Sequence, residues 1–82
     1  MLFNTLKEIK EELASKGANC KIKNHQKTLV IEGKNYSFLV DKRDDSRFDI
    51  SVFENADYEL VEMFCGISGF EVVRKIKNID AL

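Results

Sequence analysis

Residues 20–54 have the sequence CKIKNHQKTLVIEGKNYSFLVDKRDDSRFDISVFE. Four runs in this stretch are rich in apolar and β-branched residues, and three polar segments separate them. Runs of this length, bounded by turn residues, predict strands. The segments between them are short enough for consecutive strands to pair as hairpins. The stretch therefore predicts a four-stranded antiparallel meander.

The predicted register follows from the loops. Gly33 and Lys34 fit a two-residue loop with glycine in the first position of a type II′ turn, and the other two loops cover residues 24–27 and 42–46. The resulting apolar pairs are Ile22–Leu29, Cys20–Ile31, Leu29–Phe38, Ile31–Tyr36, Val40–Phe48, Phe38–Ile50 and Tyr36–Val52. All of them lie on one face. Because a slip of one residue would turn a strand's side chains to the other face, this agreement supports the meander.

The opposite face of this sheet is mostly polar, with Val30, Leu39 and Phe53 as its apolar members. In the predicted register these three residues are not direct cross-strand partners. Single exposed apolar residues are common on protein surfaces, and the alternative is a contact face for a partner. Val30, Leu39 and Phe53 are therefore the candidate partner-binding residues.

Helices are predicted on both sides of the strands. An apolar stripe at helical spacing consists of Leu2, Phe3, Leu6, Ile9 and Leu13. It predicts a first helix over residues 3–16. Asn55 is a suitable N-cap, and Leu60, Val61 and Phe64 suggest a second helix that ends at Gly66. The chain is thus predicted to be a single α+β domain over residues 1–82, with an N-terminal helix, a four-stranded antiparallel meander and two C-terminal helices packed on one face of the sheet.

Residues 69–79 fit either a helix or a strand. Ser68 and Glu71 have the spacing of a capping box. On a helical wheel one arc is apolar and consists of Phe70, Val72, Val73, Ile76 and Ile79. Strand alternation would instead put Arg74 in line with apolar residues. The wheel and the capping box favour a helix.

Residues 58–77 resemble the helix-turn-helix motif of bacterial and phage transcription regulators. The positions that match are Gly66 at the turn, Ile67 after it, Ser68 at the start of the second helix and Val72 within it. The resemblance implies that the second helix enters the DNA major groove. It also implies phosphate or base contacts from Ser68, Arg74, Lys75 and Lys77. Glu62 and Lys75 depart from the motif, which has a small residue and a buried apolar residue there. The alternative is a helical hairpin that only completes the core.

No catalytic or metal-binding pattern stands out. His25 lies in a predicted turn with no cysteine at zinc spacing, and Cys20 and Cys65 are expected to be free thiols. Four aspartates surround the loop over residues 42–46 without the spacing of a calcium loop: Asp41, Asp44, Asp45 and Asp49. The tripeptide at residues 32–34 resembles the Glu-x-Lys part of restriction-type nucleases, which need an upstream acidic residue on the sheet that is missing here. We therefore expect neither enzyme activity nor a cofactor.

Composition limits the remaining function classes. The net charge of −1 argues against nucleic-acid binding through bulk electrostatics. No apolar run is long enough for a signal peptide or a membrane span, so we expect a cytoplasmic protein without membrane contact. Abundant Lys, Asn and Ile are typical of low-GC bacteria and their phages. The sequence favours a small regulator or inhibitor, of a kind that phages or mobile elements encode, that binds another protein. A homodimer is compatible with it. A DNA-binding regulator using residues 58–77 is the alternative.

Overall fold

The structure is a computed structural model that describes residues 3–82, so Leu2 of the predicted first helix lies outside the described residues. The elements follow one another as α1 (Leu6–Ser15), β1 (Asn19–Lys23), β2 (Thr28–Glu32), β3 (Tyr36–Lys42), β4 (Phe48–Glu54), β5 (Leu60–Ile67) and α2 (Gly69–Asp80). The five strands form one antiparallel sheet in the order β1-β2-β3-β4-β5. The α+β class and the antiparallel meander are confirmed. The structure has five strands and two helices instead of the predicted four strands and three helices.

Both helices pack on the same face of the sheet. Helix α1 contacts β1 and β2, helix α2 contacts β3 and β4, and the helices touch each other. The largest fully buried side chains come from this layer and from the sheet face below it: Phe38, Phe48, Ile9, Leu13, Leu29, Ile31, Ile50, Ile76, Val40, Val52 and Val72. The predicted apolar face of the meander is therefore the core face.

Local signals define the ends of α1. The Thr5 hydroxyl accepts from the Glu8 backbone amide at 3.1 Å, and the Glu8 carboxylate accepts from the Thr5 amide at 3.2 Å. This capping box starts the helix at Leu6 instead of residue 3. At the other end Gly17 has a φ of 97°, and the amides of Gly17 and Ala18 donate to Ala14 and Leu13. That pair of bonds is a Schellman motif, which needs a residue in the left-handed region.

The predicted register is confirmed for the β1–β2 hairpin. For the β2–β3 and β3–β4 hairpins it is wrong by two residues. Strand β1 pairs with β2 as expected, with Ile22 opposite Leu29. Strands β2 and β3 instead pair Ile31 with Phe38, and strands β3 and β4 pair Phe38 with Val52. A shift of two residues keeps every side chain on its predicted face, because the side-chain period of a strand is two.

A long-range contact explains the longer β2–β3 loop. The buried carboxylate of Asp80, at the end of α2, accepts from the backbone amides of Lys34 and Asn35. A Cβ atom on Gly33 would collide with the Asp80 carboxylate and lie 2.9 Å from the Tyr36 carbonyl oxygen. The loop therefore uses glycine for close approach, and not for the two-residue turn that the sequence predicts.

Hydrogen bonds within the β3–β4 loop explain the two-residue shift in the register of β3 and β4. The Asp44 carboxylate accepts from the Ser46 amide at 3.0 Å, which is an Asx turn. The Arg43 amide donates to the Arg47 carbonyl at 2.9 Å, so the ladder continues further into the loop than predicted. Lys42 consequently faces Phe48.

The predicted helix that ends at Gly66 is wrong, because residues 60–67 form strand β5 along β4. Asn55 does not cap a helix. Its side chain donates to the Gly33 carbonyl at 3.2 Å and accepts from the Ser37 hydroxyl at 2.6 Å. The residues after it form a tight turn in which the Tyr58 amide donates to the Glu54 carbonyl at 2.8 Å. The open backbone groups of β4 then pair with a segment that contains good strand formers.

Gly66 has a φ of 66° in a β-bulge. Its amide donates to the Asp49 carboxylate at 2.8 Å, and its carbonyl accepts from Arg47 at 3.0 Å. The left-handed backbone that suits a helix end also suits a bulge, which is why the glycine signal was ambiguous.

The prediction of a helix over residues 69–79 is confirmed by α2. Ser68 is its N-cap and accepts from the Glu71 amide at 3.2 Å. The Glu71 carboxylate pairs with Arg74 at 2.8 Å instead of closing the box. Val72, Val73 and Ile76 are buried as predicted, whereas Phe70 is 54% exposed.

Candidate functional site

The outer face of the sheet, opposite the helices, brings predicted and unpredicted apolar residues together. Val30 on β2 pairs directly with Leu39 on β3. Leu39 pairs with Ser51 on β4, and Ser51 pairs with Met63 on β5. The expectation that Val30 and Leu39 are not direct partners is wrong, because the two-residue shift brings them opposite each other. Side chains in such positions have Cβ atoms about 5 Å apart.

A second row lies next to the first, towards the β2–β3 loop. Phe53 on β4 pairs with Ser37 on β3 and with Leu60 on β5. Together the two rows form a patch that we call the outer patch: Val30, Leu39, Phe53, Leu60 and Met63. Its three predicted members are half-buried, while Leu60 and Met63 are 48% and 54% exposed. Within residues 3–82 both helices lie on the opposite face, so neither covers it.

A depression of about 410 Å³ opens at one end of the outer patch. Its apolar wall includes Val30, Phe53 and Tyr58, and Tyr58 is 78% exposed. The polar side of the depression includes Ser37 and Asn55, which hydrogen-bond to each other at 2.6 Å. The exposed carboxylate of Glu32 also lines the depression, so its lining combines apolar side chains with one charged group.

Charges and hydrogen bonds border the outer patch. Thr28 donates to the Asp41 carboxylate at 2.7 Å. Asp41 lies opposite Asp49, and Arg43 pairs with Asp49 at 3.0 Å. On the β1 side, Lys21 lies opposite Val30 in the strand register. An apolar centre with a charged rim is the usual anatomy of a protein interface.

The four residues assigned to DNA contact do not form the helix-turn-helix arrangement, because β5 replaces its first helix. Ser68 caps α2, and Arg74 pairs with Glu71. The Lys75 ammonium lies 4.2 Å from the ring centroid of Phe64. Lys77 pairs with Glu12 of α1 at 2.5 Å, and this hydrogen bond holds the pKa of Glu12 below its ordinary value.

The sequence prediction missed Leu60, Met63 and Tyr58. The reason is that the sequence predicts a helix from the N-cap Asn55 to Gly66, and a helix over these residues does not add a strand to the outer face of the sheet. A signal was present: residues 60–67 contain only one charged residue, Glu62, and include Val, Phe and Ile. Such a run between turn residues is typical of a strand.

The cysteines, the histidine and the acidic residues are the side chains to consider for reactivity or metal binding. Cys20 and Cys65 are free, and burial raises the pKa of the Cys20 thiol, which is the opposite of what a nucleophilic thiolate requires. His25 is exposed in the β1–β2 turn. Among residues 3–82 no three His, Cys, Asp or Glu side chains are grouped so that they could hold a metal ion.

Across the part of the chain that the structure describes, neither helix has the length and apolar character needed to cross a membrane. Comparison with protein-family models, with curated proteins and with solved structures finds no match for this chain.

Proposed function

We propose that this domain is a non-enzymatic binding module, a regulator or inhibitor that holds a protein partner on the outer patch. The observation that carries the proposal is the position of its apolar residues on four adjacent strands, β2 to β5, opposite the helices. A contiguous exposed apolar patch with a polar rim is typical of a protein interaction site.

The depression beside the patch gives the interface a defined form. Val30, Phe53 and Tyr58 form the apolar part of the lining of a depression of about 410 Å³, and an apolar side chain of the partner can pack against them. Aromatic residues are common at the energetic centre of interfaces because they bury a large area at low entropic cost. Phe53 and Tyr58 are therefore the expected anchors.

The proposed location is the cytoplasm. The support is the pair of free cysteines, Cys20 and Cys65, because reducing compartments keep thiols in this state. The proposed phage or mobile-element origin is supported by the small size of the chain and by its Lys-, Asn- and Ile-rich composition. For DNA binding we find no supporting contact, because Ser68, Arg74, Lys75 and Lys77 all interact within the domain.

Partner capture with a blocking variant tests the proposal. Ser51 lies between Leu39 and Met63, so Ser51→Lys puts a charge in the outer patch without removing an apolar contact. Immobilised protein is incubated with lysate of the source cells, with and without nuclease. We expect one or a few proteins to be retained after nuclease treatment and lost with Ser51→Lys.

The matched control is Phe70→Ser, because Phe70 is as exposed as Met63 and lies on α2, away from the outer face. It should retain the same proteins as wild type. Retention that disappears with nuclease would favour nucleic-acid binding, and retention that survives Ser51→Lys would place the interface elsewhere. Circular dichroism of each variant confirms that the fold is intact.

A further inference from the structure

The two edges of the sheet differ in how well they are protected. Edge strand β1 has 5 residues, carries Lys21 and Lys23, and contacts α1. Edge strand β5 has 8 residues, and Leu60, Val61 and Met63 are 48%, 47% and 54% exposed. Short length, lysines and bulges are the usual protection of an edge strand. Strand β5 has register irregularities but no lysine, and its exposed apolar segment around Met63 is a template for pairing with another strand.

The register of β5 indicates which strand it can accept. Residues 62–64 pair regularly with β4, and a register irregularity lies on each side of this segment. The regular segment is therefore symmetric about Met63. In an antiparallel pair of identical strands a twofold axis places one residue opposite its own copy. An axis at Met63 pairs the whole regular segment with itself.

Neighbouring registers fit less well. An axis at Glu62 would put two carboxylates directly opposite each other, which is unfavourable. An axis at Phe64 would pair Glu62 with Gly66, which lies in the bulge. The axis at Met63 instead sets Glu62 of each copy opposite Phe64 of the other.

Charge complementarity supports the same register. Glu62 and Phe64 lie on the same face of β5, because they are two residues apart within its regular segment. The Lys75 ammonium lies over the Phe64 ring, 4.2 Å from its centroid. Glu62 of the second copy would therefore lie beside Lys75, and the symmetry repeats this contact. Among the ion pairs of residues 3–82 neither Glu62 nor Lys75 has a partner.

We infer that the protein forms a homodimer by antiparallel pairing of β5 with β5 of a second copy, with the twofold axis at Met63. The dimer is one continuous ten-stranded sheet with all four helices on one face. The two outer patches become neighbours on the other face. This pairing uses backbone groups of the edge, so it does not depend on the proposed protein partner.

Sedimentation equilibrium of the full chain measures this association. Wild type should show a concentration-dependent equilibrium between monomer and dimer. Met63→Lys brings two ammonium groups together at the axis and should weaken the dimer at least about tenfold. Phe70→Lys, at a position with the same 54% exposure on α2, is the control and should associate like wild type.

A charge exchange identifies the register. In a dimer of Glu62→Lys, the introduced ammonium group of each copy would lie beside Lys75 of the other. In a dimer of Lys75→Glu, the introduced carboxylate would lie beside Glu62 of the other copy. Each variant alone should therefore be monomeric. In an equimolar mixture both contacts join a carboxylate to an ammonium group. Native mass spectrometry of the mixture should then show the heterodimer and little of either homodimer.

Three outcomes would overturn the pairing of β5 with its copy. One is a wild type that stays monomeric at about 1 mM protein. Another is a dimer that Met63→Lys leaves intact, since its interface would then lie elsewhere. The third is a monomer whose β5 edge accepts an added extended peptide, because the edge would then serve another chain. A dimer without the heterodimer preference would overturn the register at Met63.

Discussion

Asp80 shows how one side chain can set the geometry of a distant loop. A carboxylate in the last turn of a helix is opposed by the helix dipole, yet Asp80 is only 3% exposed and ends α2. The two backbone amides of the β2–β3 loop offset this cost. We expect Asp80→Ala to lower the free energy of unfolding by about 1–3 kcal/mol, because both amides lose their acceptor. Urea denaturation measures the change.

Asp45→Ala provides the control, because Asp45 is exposed in the β3–β4 loop. It should change the free energy of unfolding by less than about 0.5 kcal/mol. Asp80→Asn keeps one acceptor oxygen and should fall between the two. Equal stability of Asp80→Ala and Asp45→Ala would mean that the loop does not depend on the carboxylate.

Phe38 is the central side chain of the core. It is fully buried on β3 between Ile31 and Val52. Replacing it with alanine should cost about 3–5 kcal/mol through lost apolar contact and the cavity left behind. The total free energy of unfolding of a domain this small is only slightly larger than this loss. Thermal denaturation should therefore show a largely unfolded variant. Leu39→Ala, on the same strand but facing outwards, is the comparison and should remain folded.

At the scale of elements, we expect the contact between the two helices to depend on pH. Lys77 of α2 pairs with Glu12 of α1, and this hydrogen bond lowers the pKa of Glu12 from its ordinary value of 4.5. A carboxyl group whose pKa is lower in the folded state than in the unfolded state stabilises the fold at pH values above its unfolded-state pKa. The contribution is lost as the pH falls through the folded value.

Glu12→Gln should therefore reduce the free energy of unfolding at neutral pH by about 0.2–1 kcal/mol, since both side chains are partly exposed. As the pH falls from neutral through the lowered pKa of Glu12, the difference between the variant and wild type should shrink and then vanish. The neighbouring variant Glu11→Gln, at an exposed position, should follow wild type throughout. Urea denaturation across this pH range makes the comparison. An undiminished difference at acid pH would assign the effect to packing instead of charge.

Strand β5 shows where prediction from sequence fails. Residues 55–66 carry Asn55, acidic residues and Gly66, all of which are helix-boundary signals. Each has another use here: Asn55 bonds to the β2–β3 loop and Gly66 forms a bulge. These uses depend on partners far away in sequence. By contrast the two helices with local caps, α1 and α2, were both predicted, although α1 begins after its cap Thr5 and not at residue 3.

For the whole molecule, the candidate site was predictable in part. The two-residue alternation placed Val30, Leu39 and Phe53 on the outer face, because a strand's faces depend only on parity. Leu60 and Met63 were not predictable in the same way, because they reach that face only through pairing of β5 with β4. A local pattern identifies the face of a strand and leaves its neighbours undetermined.

The arrangement of the sheet predicts how backbone protection is distributed. Strands β2, β3 and β4 have a neighbour on both sides, whereas β5 has one within a single copy. In dilute solution, hydrogen exchange followed by mass spectrometry should show the slowest exchange in β3 and much faster exchange in β5. Strand β1 serves as an internal reference, because it is also an edge but contacts α1. Exchange in β5 as slow as in β3 would contradict the strand order.

The strictly sequential meander also has a consequence during translation. Each hairpin can form soon after its second strand leaves the ribosome, because its partner is already present. The side chains that cover β3 and β4, Val72, Val73 and Ile76, are synthesised after all five strands. Until then the nascent chain presents Phe38 and Val40 to solvent. A ribosome stalled before α2 would thus expose a chaperone-binding surface that the finished protein conceals.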